Sequence, residues 1–283
     1  MSNFTLNNLK MKYLRSVRPF LILFTPLLLV NCSRNPYSAA NKSYKKQAKQ
    51  YAKLIRKIPE NDSLINGTWV GTTNFNLRKP NFVIIHHTAQ NSCDQTLKTF
   101  TTVITKVSAH YVICKDGTIH HMLNDYLRAW HGGIAKWGNN TDINSSSIGI
   151  EIDNDGFEPF TEPQIESLLK LLSVLKKNYS IPEGNFIGHA DIAPTRKNDP
   201  NVNFPWKRLA DSGYGHWWND TTGVMLPSDF NSMDALRIVG YDIKDSSAVI
   251  QTFKRKFEQL DKNAILDDAD KKVLFMLYKK YED

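Results

Sequence analysis

Four consecutive apolar residues, Phe82 to Ile85, stand between Pro80 and a pair of histidines, and this run constrains the fold more than any other feature of the chain. A short uninterrupted apolar run bounded by proline and polar residues reads as a fully buried strand over 81–86. A helix is expected to follow, capped by Ser92 or Asp94, with Leu97, Phe100, Ile104 and Val107 on one stripe. A hairpin then pairs Tyr111 to Cys114 with Thr118 to Met122 around Asp116-Gly117. Ile148 to Ile152 is a further strand, and Asn185 to Gly188 a short one. Between them Thr161 and Gln164 form a capping box for a helix running to about Asn178, with Ile165, Leu168, Leu169, Leu172 and Leu175 inward. Strands interleaved with such helices specify an α/β class, a mixed central β-sheet flanked by helices.

After Trp218 a connector containing Thr, Gly and Pro leads to helical segments at Ser232 to Val239, Ser246 to Leu260 and Asp267 to Tyr281. They read as a small three-helix module over 221–283, too small for a confident core of its own and expected to resemble a wall-binding module. The main α/β domain is assigned to 75–220.

The first 31 residues carry Lys10, Lys12, Arg15 and Arg18, no acid, and an apolar run from Phe20 to Val30. That run is too short to span a bilayer core of about 30 Å, so the pattern is that of a cleaved signal peptide. Its end, Leu29-Val30-Asn31-Cys32, resembles a bacterial lipobox, which makes Cys32 the expected lipidation site and residues 32–74 a lipidated, basic, helical stalk. Asn31 departs from the small residue usual at that position. The stalk's lysines fit either attraction to anionic headgroups or a solvated face opposite Tyr44, Ala48, Tyr51, Ile55 and Ile58. The whole chain has 36 basic and 28 acidic residues, but the excess sits in the first 57 positions, leaving 24 against 28 in residues 58–283. A mildly acidic body excludes a basic-patch nucleic-acid binder. Cys93 lies at a helix start and Cys114 in an apolar run, and they are expected as two buried thiols, not a disulfide.

All eight histidines fall between residues 86 and 216. His86 and His189 each end a strand and Asp199 follows on a loop, so two imidazoles and one carboxylate are available to a divalent ion with a fourth position open. Spacing alone does not distinguish this from satisfied core histidines. In order along the chain, Ile85-His86-His87-Thr88-Ala89, Ser108-Ala109-His110-Tyr111, Ala129-Trp130-His131-Gly132, Ser147-Ile148-Gly149-Ile150-Glu151 and Gly188-His189-Ala190-Asp191 through Lys197-Asn198-Asp199-Pro200 resemble the zinc N-acetylmuramoyl-L-alanine amidase family that includes peptidoglycan recognition proteins. The lipidated start and helical tail resemble its outer-membrane lipoprotein members.

The resemblance implies cleavage of the amide between the lactyl group of N-acetylmuramic acid and L-alanine in peptidoglycan or muropeptides. It implies Zn2+ on His86, His189 and Asp199, with Glu151 as catalytic carboxylate and Lys197 as a second catalytic group. His87, the neighbour of the first ligand, is expected on the opposite strand face. Tyr111 and His131 match positions lining the family's cleft, and Trp130 and Trp137 are candidates for stacking on sugar or peptide, with core filling as the alternative for all of them. Asn201 replaces the glycine of close relatives. The expected setting is a monomer in the bacterial envelope, facing the periplasm and held by its lipid anchor, with the outer membrane favoured. The competing class is a non-catalytic peptidoglycan binder, which typically lacks a zinc ligand. A cytosolic recycling amidase is opposed by the export signal.

Overall fold

The computed structural model describes residues 35–57, 70–260 and 263–282; the signal peptide and Cys32 lie outside them. In chain order the elements are α1 Ser38–Arg56, β1 Phe82–His87, α2 Cys93–Thr101, β2 Tyr111–Ile113, β3 Ile119–His121, α3 Ile143–Ser146, β4 Ser147–Ile152, α4 Glu162–Tyr179, β5 Phe186–Gly188, α5 His189–Ile192, α6 Trp206–Asp211, α7 Ser232–Val239, α8 Ser246–Phe257 and α9 Asp268–Glu282. All of helix α1 but its last residue belongs to a unit separate from residues 56–283, and none of its residues is buried.

The sheet is mixed, as expected, in the order β3-β2-β4-β1-β5, with only the β2–β3 hairpin antiparallel. Strand β1 is interior, between β4 and β5, and pairs His86 with Glu151 and Ile85 with Gly188. Side chains alternate across a strand, so this register sorts two faces. Val83, Ile85, Ile148, Ile150, Ile152 and Phe186 pack against Ile165, Leu168, Leu172 and Leu175 of α4. Helix α4 begins at the expected capping box, in which Thr161 Oγ1 accepts from the Gln164 N–H and Gln164 Oε1 accepts from the Thr161 N–H.

On the other face Ile84 and Ile187 share a core with Leu236, Val249, Phe253, Phe257, Leu274 and Leu277 of α7, α8 and α9. The three C-terminal helices are therefore the second covering layer of the sheet, with their buried apolar residues in one core with its strands.

Two expectations are corrected. Cys93 and Cys114 form a disulfide, with Cα atoms 5.3 Å apart. The first turn of α2 sits beside the end of β2, a separation that side-chain type and spacing do not encode. The apolar stripe expected through Ile104 and Val107 stops at Thr101. There Thr101, Thr102 and Thr105 hydroxyls donate to the carbonyls of Leu97, Lys98 and Thr99. These bonds compete with the helical ladder. Val103 and Ile104 end up exposed in a single 3-10 turn.

Candidate metal centre and cleft

His86 is the penultimate residue of β1, aimed at the face opposite Val83 and Ile85, and it is 1% exposed. His189 opens α5 directly after β5, and Asp199 lies on the loop that follows. Their side chains converge: His86 Nδ1 is 2.9 Å from His189 Nδ1, and both nitrogens are 3.0 Å from Asp199 Oδ2. Four ligand bonds of about 2.0–2.1 Å in a tetrahedral shell place their donor atoms about 3.3 Å apart, so this triangle needs only a few tenths of an ångström of widening to seat such an ion. Two nitrogens and a carboxylate oxygen that meet in one buried place suit zinc by donor type as well.

The outer atoms of these rings are also engaged. His189 Nε2 donates to the carbonyl of Gly132 at 3.1 Å, which leaves Nδ1 as its lone-pair nitrogen. His86 Nε2 lies 3.1 Å from Nδ1 of His131, whose Nε2 lies 3.1 Å from the Ser147 hydroxyl. Burial and the adjoining His189 lower the His86 pKa to about 4, against the pull of Asp199. Burial and the His86, His110 and His189 rings hold His131 well below the ordinary imidazole value. At neutral pH His86 and His131 thus each have a single N–H. Burial alone would raise the Asp199 carboxyl, but the close His189 and His86 imidazoles hold it well below the usual carboxylate range.

Glu151 follows from register, as the cross-strand partner of His86, with Oε1 4.0 Å from His86 Nδ1. Burial and the negative charge of Asp199 push its pKa well above that of an ordinary glutamate, while Lys197 pulls the other way. A carboxylate so placed beside the ion site has the basicity to take a proton from water. Glu151, Lys197 and the half-exposed Trp130 share with His86, His189 and Asp199 a cleft of about 320 Å³, walled on one side by Thr96, Thr99 and Phe100 of α2.

Not every candidate reaches this cleft. Tyr111 pairs with Ile150, which puts its ring in the core on the α4 side; its hydroxyl donates to Asp125 at 3.0 Å, and the ring stacks on His121. Trp137 is also core: its indole lies against Gly240, where a Cβ would come within 2.4 Å of the ring, and edge-on to Tyr241. His131 does line the cleft, from a buried position beside His86. His87, on the opposite face from His86, accepts from the Asn201 N–H through Nδ1. The Asn201 side chain in turn donates to Asn154 and to the Glu158 carbonyl, so the residue that replaces glycine ties the Asp199 loop to the end of β4.

Sequence reasoning missed Asp191. It lies within the motif quoted around His189, and its carboxylate accepts from the Gly188 N–H, the Tyr241 hydroxyl and the Lys256 ammonium at 2.7, 2.8 and 2.7 Å. Two of those donors come from the C-terminal helical region, which thereby braces the turn carrying His189.

Residues 76–202 match the N-acetylmuramoyl-L-alanine amidase (Amidase_2) family. The chain is 32% identical over 231 residues to the N-acetylmuramoyl-L-alanine amidase AmiD of Escherichia coli (strain K12), covering 70% of this chain and 82% of that protein. The solved complex of E. coli AmiD with the substrate anhydro-N-acetylmuramic acid-L-Ala-D-gamma-Glu-L-Lys superposes with a TM-score of 0.65 at 29% identity, over 75% of this chain and 93% of that one. AmpDh3 from Pseudomonas aeruginosa, in complex with anhydromuramic pentapeptide, does so with a TM-score of 0.67 at 27% identity, over 77% and 98%.

Proposed function

Because the chain belongs to the N-acetylmuramoyl-L-alanine amidase family, we propose that it is a zinc-dependent amidase hydrolysing the bond between the lactyl group of N-acetylmuramic acid and L-alanine in muropeptides or peptidoglycan. The observation that carries the reading is the meeting of His86 Nδ1, His189 Nδ1 and Asp199 Oδ2 beside a basic, largely buried Glu151. Zinc held by those three atoms would supply Lewis-acid polarisation and a water of lowered pKa, near 7. Glu151 takes a proton from the attacking water and returns it to the departing alanine nitrogen. One water is consumed, the C–N bond breaks, and a lactyl carboxylate and a free peptide amine result. Lys197, at the rim of the same cleft, opposes the negative charge that develops on the carbonyl oxygen. The Trp130 indole offers an exposed face to the sugar. The anhydro-muropeptides in the two related complexes support this substrate class. The basic, apolar and Cys32-terminated start supports an envelope setting with a lipid anchor.

Anhydro-muropeptide incubated with the zinc-loaded protein is expected to yield, by mass spectrometry, a free peptide with L-alanine at its N-terminus and the matching anhydro-sugar acid. Retention of muropeptide without cleavage would instead establish a binder. His86→Ala is expected to lower zinc affinity by more than the roughly 10–100-fold typical of a group behind the ligands, whereas His87→Ala leaves zinc content near wild type. Zinc content after dialysis measures both, and the reverse pattern would exchange the two roles.

A further inference from the structure

The hydrogen-bond chain behind His86 has a direction that can be read atom by atom. It starts at Ser147, the first residue of β4, whose hydroxyl donates to the carbonyl of Ile143 at 2.6 Å. A hydroxyl has one proton, so toward His131 Nε2, 3.1 Å away, the Ser147 oxygen can only accept. The single proton of His131 therefore sits on Nε2, and its Nδ1 faces His86 Nε2 as a lone pair. His86 must donate there from Nε2, which leaves its Nδ1 bare, and Nδ1 is the atom that meets His189 and Asp199. The opposite order would turn the Ser147 oxygen, without its proton, against the Ile143 carbonyl.

We propose that His131 is a positioning residue that holds His86 in its Nε2–H tautomer and so keeps His86 Nδ1 free to bind the cation. The competing state is explicit in the geometry. With no acceptor at Nε2, the His86 proton is drawn to Nδ1, where Asp199 Oδ2 accepts it at 3.0 Å and closes the site with a hydrogen bond.

The surroundings of His131 are built for its ring. Gly149 lies directly beneath it, and a Cβ at that position would come within 2.5 Å of the His131 ring. Glu151 lies two residues farther along the same strand face. Asn144 Oδ1 accepts from the N–H groups of both His131 and Gly132, at 3.2 and 2.8 Å, which locks the segment. The Gly132 carbonyl is the acceptor for His189 Nε2. Two adjacent residues thus set the tautomers of both imidazole ligands, one through a ring and one through a carbonyl.

The proposal rests on the metal-centre reading for its consequence, and the test separates the two. Nitrogen-15 NMR of the metal-free full chain at neutral pH is expected to show His86 protonated at Nε2. His131→Leu is expected to move that proton toward Nδ1 and to weaken zinc binding, measured by chelator competition, about 10–100-fold. His131→Gln, whose amide oxygen can accept from His86 Nε2, is expected to recover most of both. A His131→Leu protein with the wild-type tautomer and wild-type zinc affinity overturns the proposal. Should that variant fail to fold, Ser147→Ala removes only the final acceptor: a mixed His86 tautomer supports the proposal, and an unaltered one overturns it. If the wild-type chain binds no zinc, the metal-centre reading falls, while the tautomer measured in the metal-free protein still decides this one.

Discussion

Glu151→Gln is expected to lower kcat on muropeptide by about 10²–10⁴-fold, the usual contribution of a positioned proton acceptor, while leaving zinc content unchanged. Glutamine keeps the size of the side chain and its place opposite His86 but cannot take up a proton. The His86 Nδ1 to Glu151 Oε1 separation of 4.0 Å places the carboxylate next to the ligands without making it one of the three that converge. Burial together with Asp199 raises its pKa, so the change of one atom removes a base stronger than a solvent-exposed glutamate. Steady-state kinetics with one defined muropeptide, alongside metal analysis of both proteins, measures this. Full turnover by Glu151→Gln would assign the proton to another group.

The second large effect is expected behind the cleft, at the turn that carries His189. Lys256 of α8 is buried with Asp191, 6% and 1% exposed at their side chains, at 2.7 Å, and the ammonium also lies 4.4 Å from the centre of the Trp206 ring. Lys256→Met fills similar space but leaves the Asp191 charge without its cation. Removing one partner of a buried pair costs about 3–5 kcal/mol, which for a folded unit of this size lowers Tm by roughly 10 °C or more. Asp191→Asn combined with Lys256→Met is expected to cost less than the two single changes added together, because the stranded charge is gone. Zinc affinity should fall in parallel in Lys256→Met, since Asp191 also anchors the Gly188 N–H just before His189. Thermal melts of the four proteins, with and without zinc, test both statements; an unchanged Tm in Lys256→Met would show that Asp191 finds another partner.

These two residues also show what the sequence made legible. Glu151 and His86 could be found because each lies on a strand marked by an apolar run, and the ordered motifs named their chemistry. The capping box at Thr161 and Gln164 was equally plain, because its signal is local. Lys256 was not, because a lysine in the run Lys254-Arg255-Lys256 reads as part of a solvated helix face. Its partner lies 65 positions away, and nothing in the helix itself reveals that. Tyr111 was misplaced for a related reason. Strand β2 has only three residues, too few for alternation to show which way each points, and only its pairing with β4 settles the face. The Cys93–Cys114 bridge and the burial of Trp137 against Gly240 depend on the approach of distant backbone segments. The three C-terminal helices announced apolar stripes but not the surface that would receive them, which is the second face of the sheet.

The interior position of β1 has a temporal implication. Its histidine becomes useful only once β4 has slotted in on one side and β5 on the other, and the last ligand is Asp199. A growing polypeptide that stops before that aspartate lacks one of the three side chains that converge, so on the proposed reading it cannot yet hold the ion.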